Sequence, residues 1–261
     1  MRPYHRVSTV LVAIAIAISG ALAAPVLQPG LPAPATPKPY KPVAVKLPQV
    51  IKDPSFESFR KQLVGIAERK DRAALARVVV AKGFFWVPED GKDVADGSRP
   101  GVDNLATAIG LDIQGGAGWE IIAGFATDPT GDFDPDRKGV VCGPGDPDFD
   151  AKEGEQLVSA TDTDAGDWVF PVADGVEVRA DPSSNSKVIG TLGLHLVWIY
   201  PDDSPASAVQ ADVVRIVMPS GQLGFVKVDT LLTLDGDQLC YVKEGDDWKI
   251  AGVRGGDTNP R

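Results

Sequence analysis

Cys142 and Cys240 are the only cysteines of this 261-residue chain, and any fold it adopts has to account for both. They follow an N-terminal stretch built like a secretory leader: Arg2 and Arg6, an apolar run from Val10 to Ile18, then the small-residue pattern Ala21-Leu22-Ala23. The apolar run is shorter than the roughly 20 residues that span a bilayer. Cleavage is therefore expected, with a signal peptide over 1–23, a mature chain starting near Ala24 and no membrane span afterwards. An even cysteine pair in an exported chain is most simply a disulfide. Closing so long a loop contributes on the order of 4 kcal/mol in the chain-entropy account. The expected location is the periplasm or the medium.

The formal net charge is −10, and the leader holds two bases and no acid, so the mature chain is more acidic still. Such a balance argues against nucleic acid as a partner. The stretch from Pro25 to Pro54 runs against the average, with nine prolines, four lysines and no acid before Asp53. Its composition favours extended polyproline II, and residues 24–52 read as a solvated tether.

Helical signals begin at Asp53-Pro54, an N-cap followed by proline in the first turn, with Phe56, Phe59, Leu63 and Ile66 recurring every three or four residues. Further helical pieces are expected from Asp71 to Gly83, from Asn104 to Leu111 and from Gly118 to Ala126, with Phe84-Phe85-Trp86-Val87 as a short strand. Residues 53–127 thus read as a mostly helical unit. A helix followed by a phenylalanine-tryptophan strand also opens cone-shaped α+β domains, but too few strands follow it here to prefer one. From Asp128 to Asp167 there are twelve acids and three bases, so 128–166 reads as an acidic loop segment with one helix near Glu153 to Thr161.

After Trp168 the pattern changes to short β-rich runs separated by turn residues: 176–179, 188–192, 196–200, 213–218, 224–228, 238–242 and 248–253. Runs of this length and number suit a small barrel or sandwich over 167–256, with 257–261 as a tail. The fold class expected is α+β, a helical N-terminal region followed by an all-β barrel.

Within that region Val178-Arg179, Pro182-Ser183 and Val188-Ile189-Gly190, followed by Gly224-Phe225-Val226 and Leu231, stand in the order and spacing of bacterial SH3 (SH3b) domains. The stretch Asp167 to Gly256 resembles that family, with a longer insert at Pro201–Ala211. The mature body is similar to a set of exported proteobacterial proteins that carry this barrel behind a helical region, a likeness that brings no established activity with it. The resemblance implies a barrel that contacts cell-envelope peptide or glycan.

Catalytic chemistry finds little support. After export only His195 remains, which with two paired cysteines supplies neither a zinc set nor a cysteine-histidine nucleophile. No metal and no cofactor is expected. The alternation Asp132-Phe-Asp134-Pro-Asp136 fails as a calcium loop, because Arg137 and Gly143 stand where the turn glycine and the bidentate glutamate belong. Glu120 is the first acid to test for a carboxylate mechanism.

The leading expectation is a non-catalytic binding or scaffold protein. Its barrel would offer aromatic surface drawn from Trp198, Tyr200, Phe225, Tyr241 and Trp248 to a cell-wall peptide or glycan strand such as peptidoglycan, or to an envelope protein. The alternative is a carboxylate-dependent cell-wall hydrolase with the barrel as its targeting arm and two facing acids in 53–127. A third is a structural partner that docks through the helices.

Overall fold

The computed structural model describes residues 37–88, 91–113, 117–201 and 212–255. The expected leader, the first part of the tether, most of the 201–211 insert and the tail lie outside them. The fold is α+β.

The first half has the helices its periodicity predicts, although the second of them ends at Val78, well before Gly83. Helix α1 (Pro54–Glu68) starts where the Asp53 carboxylate accepts the backbone N–H of Ser55 at 2.7 Å, and it buries Phe56, Phe59, Leu63 and Ile66. Helix α2 (Arg72–Val78) is capped in the same way by Asp71, whose carboxylate accepts the Ala74 N–H at 2.9 Å. Helices α3 (Gly101–Ala108) and α4 (Gly118–Thr127) follow strand β2 (Phe85–Val87). Helix α3 starts earlier than the apolar pattern alone suggests, and its first residue, Gly101, lies against the Val80 carbonyl where no Cβ fits.

These helices pack on a five-stranded sheet that takes most of its strands from elsewhere in the chain. It contains β3 (Asp132–Phe133), β4 (Val140–Gly143), β13 (Gln238–Glu244) and β14 (Asp247–Arg254) in the order β2-β14-β13-β4-β3. Only the β2–β14 pair is parallel. The final hairpin is therefore the middle of the first sheet and not the end of a barrel. Its consecutive buried residues, Gln238 to Tyr241 and Ile250 to Val253, explain why. A run without alternation belongs in the centre of a covered sheet, not on one side of a small curled one.

Between β4 and β13 the chain builds a second sheet from β6 (Trp168–Pro171), β7 (Val176–Arg179), β8 (Val188–Leu192), β9 (Val197–Ile199), β10 (Val213–Val217), β11 (Leu223–Lys227) and β12 (Leu231–Thr233). The order is β12-β6-β9-β10-β11-β7-β8, antiparallel throughout. Val169, Val178, Leu192, Val197, Ile216 and Val226 form its inner core, and no helix or other sheet contributes to that cluster. The sheet thus covers its own inner face by curling. Among the described residues β8 and β12 do not pair, so the expected barrel is an open curled sheet.

The expected tether is a strap from about residue 39. Tyr40, Val43 and Val45 are buried against Trp168, Phe170, Leu196 and Trp198, together with Leu157 of helix α5 (Ala151–Thr161). The Tyr40 hydroxyl donates to the Val217 carbonyl at 3.0 Å, and the Leu196 N–H donates to Val43 at 2.9 Å. Strand β1 (Val45–Lys46) pairs with β5 (Asp148–Phe149), and the Ile51 N–H reaches Pro129 at 3.0 Å, beside the first sheet. Val43, Val45 and Leu47 alternate as a strand does, a signal hidden by the surrounding prolines.

Cys142 and Cys240 are bonded to each other. They sit directly opposite on β4 and β13, both buried, so the bridge joins neighbouring strands of the first sheet and does not reach the second. Replacing both by serine is expected to lower stability by roughly 2–5 kcal/mol, read from the denaturant midpoint. Tyr40→Ala should cost about 3–5 kcal/mol in the same assay. An unchanged midpoint for that variant would show that the strap is not docked in solution.

Candidate binding site

The register of the second sheet lines up one row of side chains on its outer face. Arg215 of β10 stands opposite Phe225 of β11, Phe225 opposite Arg179 of β7, and Arg179 opposite Val188 of β8. Tyr200, just beyond β9, adjoins Arg215 through its backbone N–H, which donates to the Arg215 carbonyl at 2.9 Å. The guanidinium of Arg215 lies 5.6 Å from the Tyr200 ring centre and 5.8 Å from that of Phe225. Directly opposed residues across antiparallel strands share a face, so the result is an alternating ladder of aromatic rings and guanidinium groups.

Trp198 belongs to the same face, its ring 5.8 Å from that of Tyr200. It is fully buried, though, with Trp168 at 6.3 Å and the strap packed over both. Beyond the strap the ladder opens, and Tyr200 and Phe225 are half-buried. A groove of about 400 Å³ runs past Phe225, walled by Val176, Arg179, Pro182, Lys227 and Thr230. Arg179 is fixed on that wall: it donates to the Ser186 carbonyl at 2.7 Å and pairs with Glu177 at 2.6 Å.

The other two aromatics proposed from the sequence are elsewhere. Tyr241 and Trp248 lie in the core under α1, with rings 5.0 Å and 4.8 Å from Phe56. Burial pushes the Tyr241 hydroxyl well above the usual phenol range. The Trp248 indole N–H donates to Ser55 Oγ at 3.0 Å, so even its polar edge is spent inside the molecule. Their place in the first sheet, decided by strand pairing, removes them from any surface that includes Phe225.

The remaining candidates resolve into structural partnerships. Glu120 is exposed and pairs with Lys70 at 3.3 Å, while Asp103 and Asp112 both bind Arg72 at 2.7 Å. Ser55 has two donors on its oxygen, Lys243 and Trp248, and gives its proton to Asp53, which leaves its lone pairs engaged. In the alternating acidic run, Asp132 faces away from Asp134: Asp132 accepts the Asp146 N–H at 3.0 Å, whereas Asp134 is buried and paired with Arg254 at 3.0 Å and Arg137 at 3.5 Å. Among the described residues no three His, Cys, Asp or Glu side chains come together so as to hold a metal ion.

Compared with family models, curated proteins and solved structures, the chain matches none. Among the described residues no helix is long and apolar enough to cross a membrane. The disulfide is compatible with an extracytoplasmic location.

Asp134 yields a prediction of its own. Burial works against its charge, but the Asp136 backbone N–H and the Arg254 guanidinium outweigh it and hold the carboxyl below its ordinary value. A depressed carboxylate stabilises above its unfolded-state pKa, and that contribution is lost as the pH falls below about 4. Asp134→Asn should cost about 3 kcal/mol at neutral pH and flatten the acid limb of the stability curve, measured by denaturant unfolding across pH.

Proposed function

We propose that this protein is an exported, non-catalytic binding or scaffold protein whose second sheet, an SH3-like unit, holds an extended cell-envelope ligand along the Tyr200–Arg215–Phe225–Arg179 row. The ligand class is a cell-wall peptide or glycan strand. The observation that carries the reading is the ladder itself: half-buried rings alternate with guanidinium groups beyond the edge of the strap, and its Phe225–Arg179 end lines a groove of about 400 Å³.

Such a row suits a ligand that alternates apolar and polar edges. Ring faces pack on the C–H faces of a sugar or on aliphatic peptide carbons, and the guanidinium N–H groups meet hydroxyls, carbonyls or carboxylates. The groove wall carries both signs of charge, with Glu177 and Asp181 beside Arg179 and Lys227. Ligands with both ammonium and carboxylate groups fit such a wall better than a uniformly anionic polymer does.

The test is a pull-down of the mature protein with isolated peptidoglycan sacculi, with the supernatant examined for released fragments. Retention without release is expected. Tyr200→Ala/Phe225→Ala should reduce retention about tenfold or more while the unfolding transition shifts little, since both rings are only half-buried. Retention unchanged in that variant would remove the ladder from the site. Release of fragments would replace binding by hydrolysis.

A further inference from the structure

A second concavity lies between the two sheets, away from the ladder. It has a volume of about 370 Å³ and is walled by the strap at Leu47–Pro48, the turn Pro144–Pro147 that leaves β4, and the return segment Leu232–Gln238. Part of the lining is apolar, and two of those residues, Val172 and Leu232, remain 38% and 44% exposed. The rest includes the carboxylates of Asp128, Asp146 and Asp235, and there is no Lys, Arg or His among the lining residues.

The acids are held there by the fold. Gln238 is buried; its amide donates to the Pro144 carbonyl at 2.7 Å and to Asp146 at 3.3 Å, which fixes the Asp146 carboxyl on the wall. Asp128 is oriented by the N–H and hydroxyl of Thr130. Partial burial raises the pKa of Asp146, and the charges of Asp132 and Asp235 act in the same direction against the opposing pull of Arg254. Like charges gathered in a partly desolvated cleft cost free energy that a cation placed among them offsets.

We propose that this cleft binds an organic cation: a primary ammonium on an aliphatic stem, as in a lysine-type side chain or a free alkylamine. The stem packs on Leu47, Val172 and Leu232, and the ammonium faces Asp146 and Asp235. Charge complementarity selects the occupant. A neutral apolar molecule leaves the carboxylates unpaired under its own cover, and an anion is repelled. The cleft is independent of the ladder and of the ligand proposed for it.

The experiment is calorimetric titration of the mature protein with pentylamine, with Nα-acetyl-lysine methylamide and with the neutral Nα-acetyl-norleucine methylamide, supported by amide chemical-shift mapping. At least one of the two cations should bind saturably, with shifts centred on Val172, Leu232 and Gln238, and the norleucine compound should not. Binding by the amide alone assigns the site to a lysine-type side chain; binding by both includes free amines. Asp146→Asn/Asp235→Asn should weaken binding about tenfold or more. Leu232→Lys, a change at an exposed position that supplies the chain's own ammonium, should abolish it. Tyr200→Ala/Phe225→Ala should leave it unchanged, which separates this site from the ladder. The proposal is overturned if neither cation saturates in the millimolar range, if the neutral compound binds equally well, or if the paired Asp→Asn change leaves the affinity intact.

Discussion

The pairing of β13 with β4 is the contact on which the rest of the molecule depends. The chain leaves the first sheet at Gly143, builds the whole second sheet, and re-enters beside the strand it left, with Leu239 opposite Gly143 and Cys240 opposite Cys142. Without that return the helices pack on one another but lack the sheet they cover. Phe56 and Phe59 find their aromatic partners in Tyr241 and Trp248, residues supplied only by the returning hairpin. The entropic cost of closing so long an excursion grows slowly with length. The disulfide, placed across the two strands that close it, removes much of that freedom from the unfolded chain.

The strap is the second constraint. It lies across the outer face of β9 and β10, where Tyr40 bonds to the Val217 carbonyl and Val43 to the Leu196 N–H, and it then runs on to the first sheet at Pro129 and Gly131. One segment thereby ties both sheets and divides a single aromatic face in two. Trp168 and Trp198 are under the strap and act as core, whereas Tyr200 and Phe225 are beyond its edge and remain available. The same fold thus produces two different concavities. The groove beside the ladder is a property of one sheet and its register, while the acidic cleft exists only where strap, turn and return segment meet.

What local chemistry controls was legible without coordinates. The Asp53-Pro54 cap and the spacing of Phe56, Phe59, Leu63 and Ile66 specify α1, because a helix needs only its own capping residue and one apolar stripe. The β-rich runs of 176–192 and 213–228 are strands because alternation and turn residues act over a few positions. Tyr200 and Phe225 could be named as surface candidates, though the arginines between and beside them become part of the row only through cross-strand register. Asp146 carried no signal at all. Its raised pKa comes first from burial in a cleft whose walls are more than eighty residues apart in the chain, and then from the charges of Asp132 and Asp235.

Residue types and short-range spacing by themselves determined the α+β class, the helices with the caps of α1 and α2, five of the seven strands of the second sheet, and a cysteine pair suited to export. Tertiary structure alone decided that the final hairpin completes the first sheet, that the proline-rich segment is a strap, that the curled sheet stays open, and that Tyr241 and Trp248 are core. The physical reason is the range of the forces involved. Capping, periodicity and turns are settled within a few residues, whereas the choice of strand partner depends on which long-range pairing buries the most apolar surface for the chain entropy it costs.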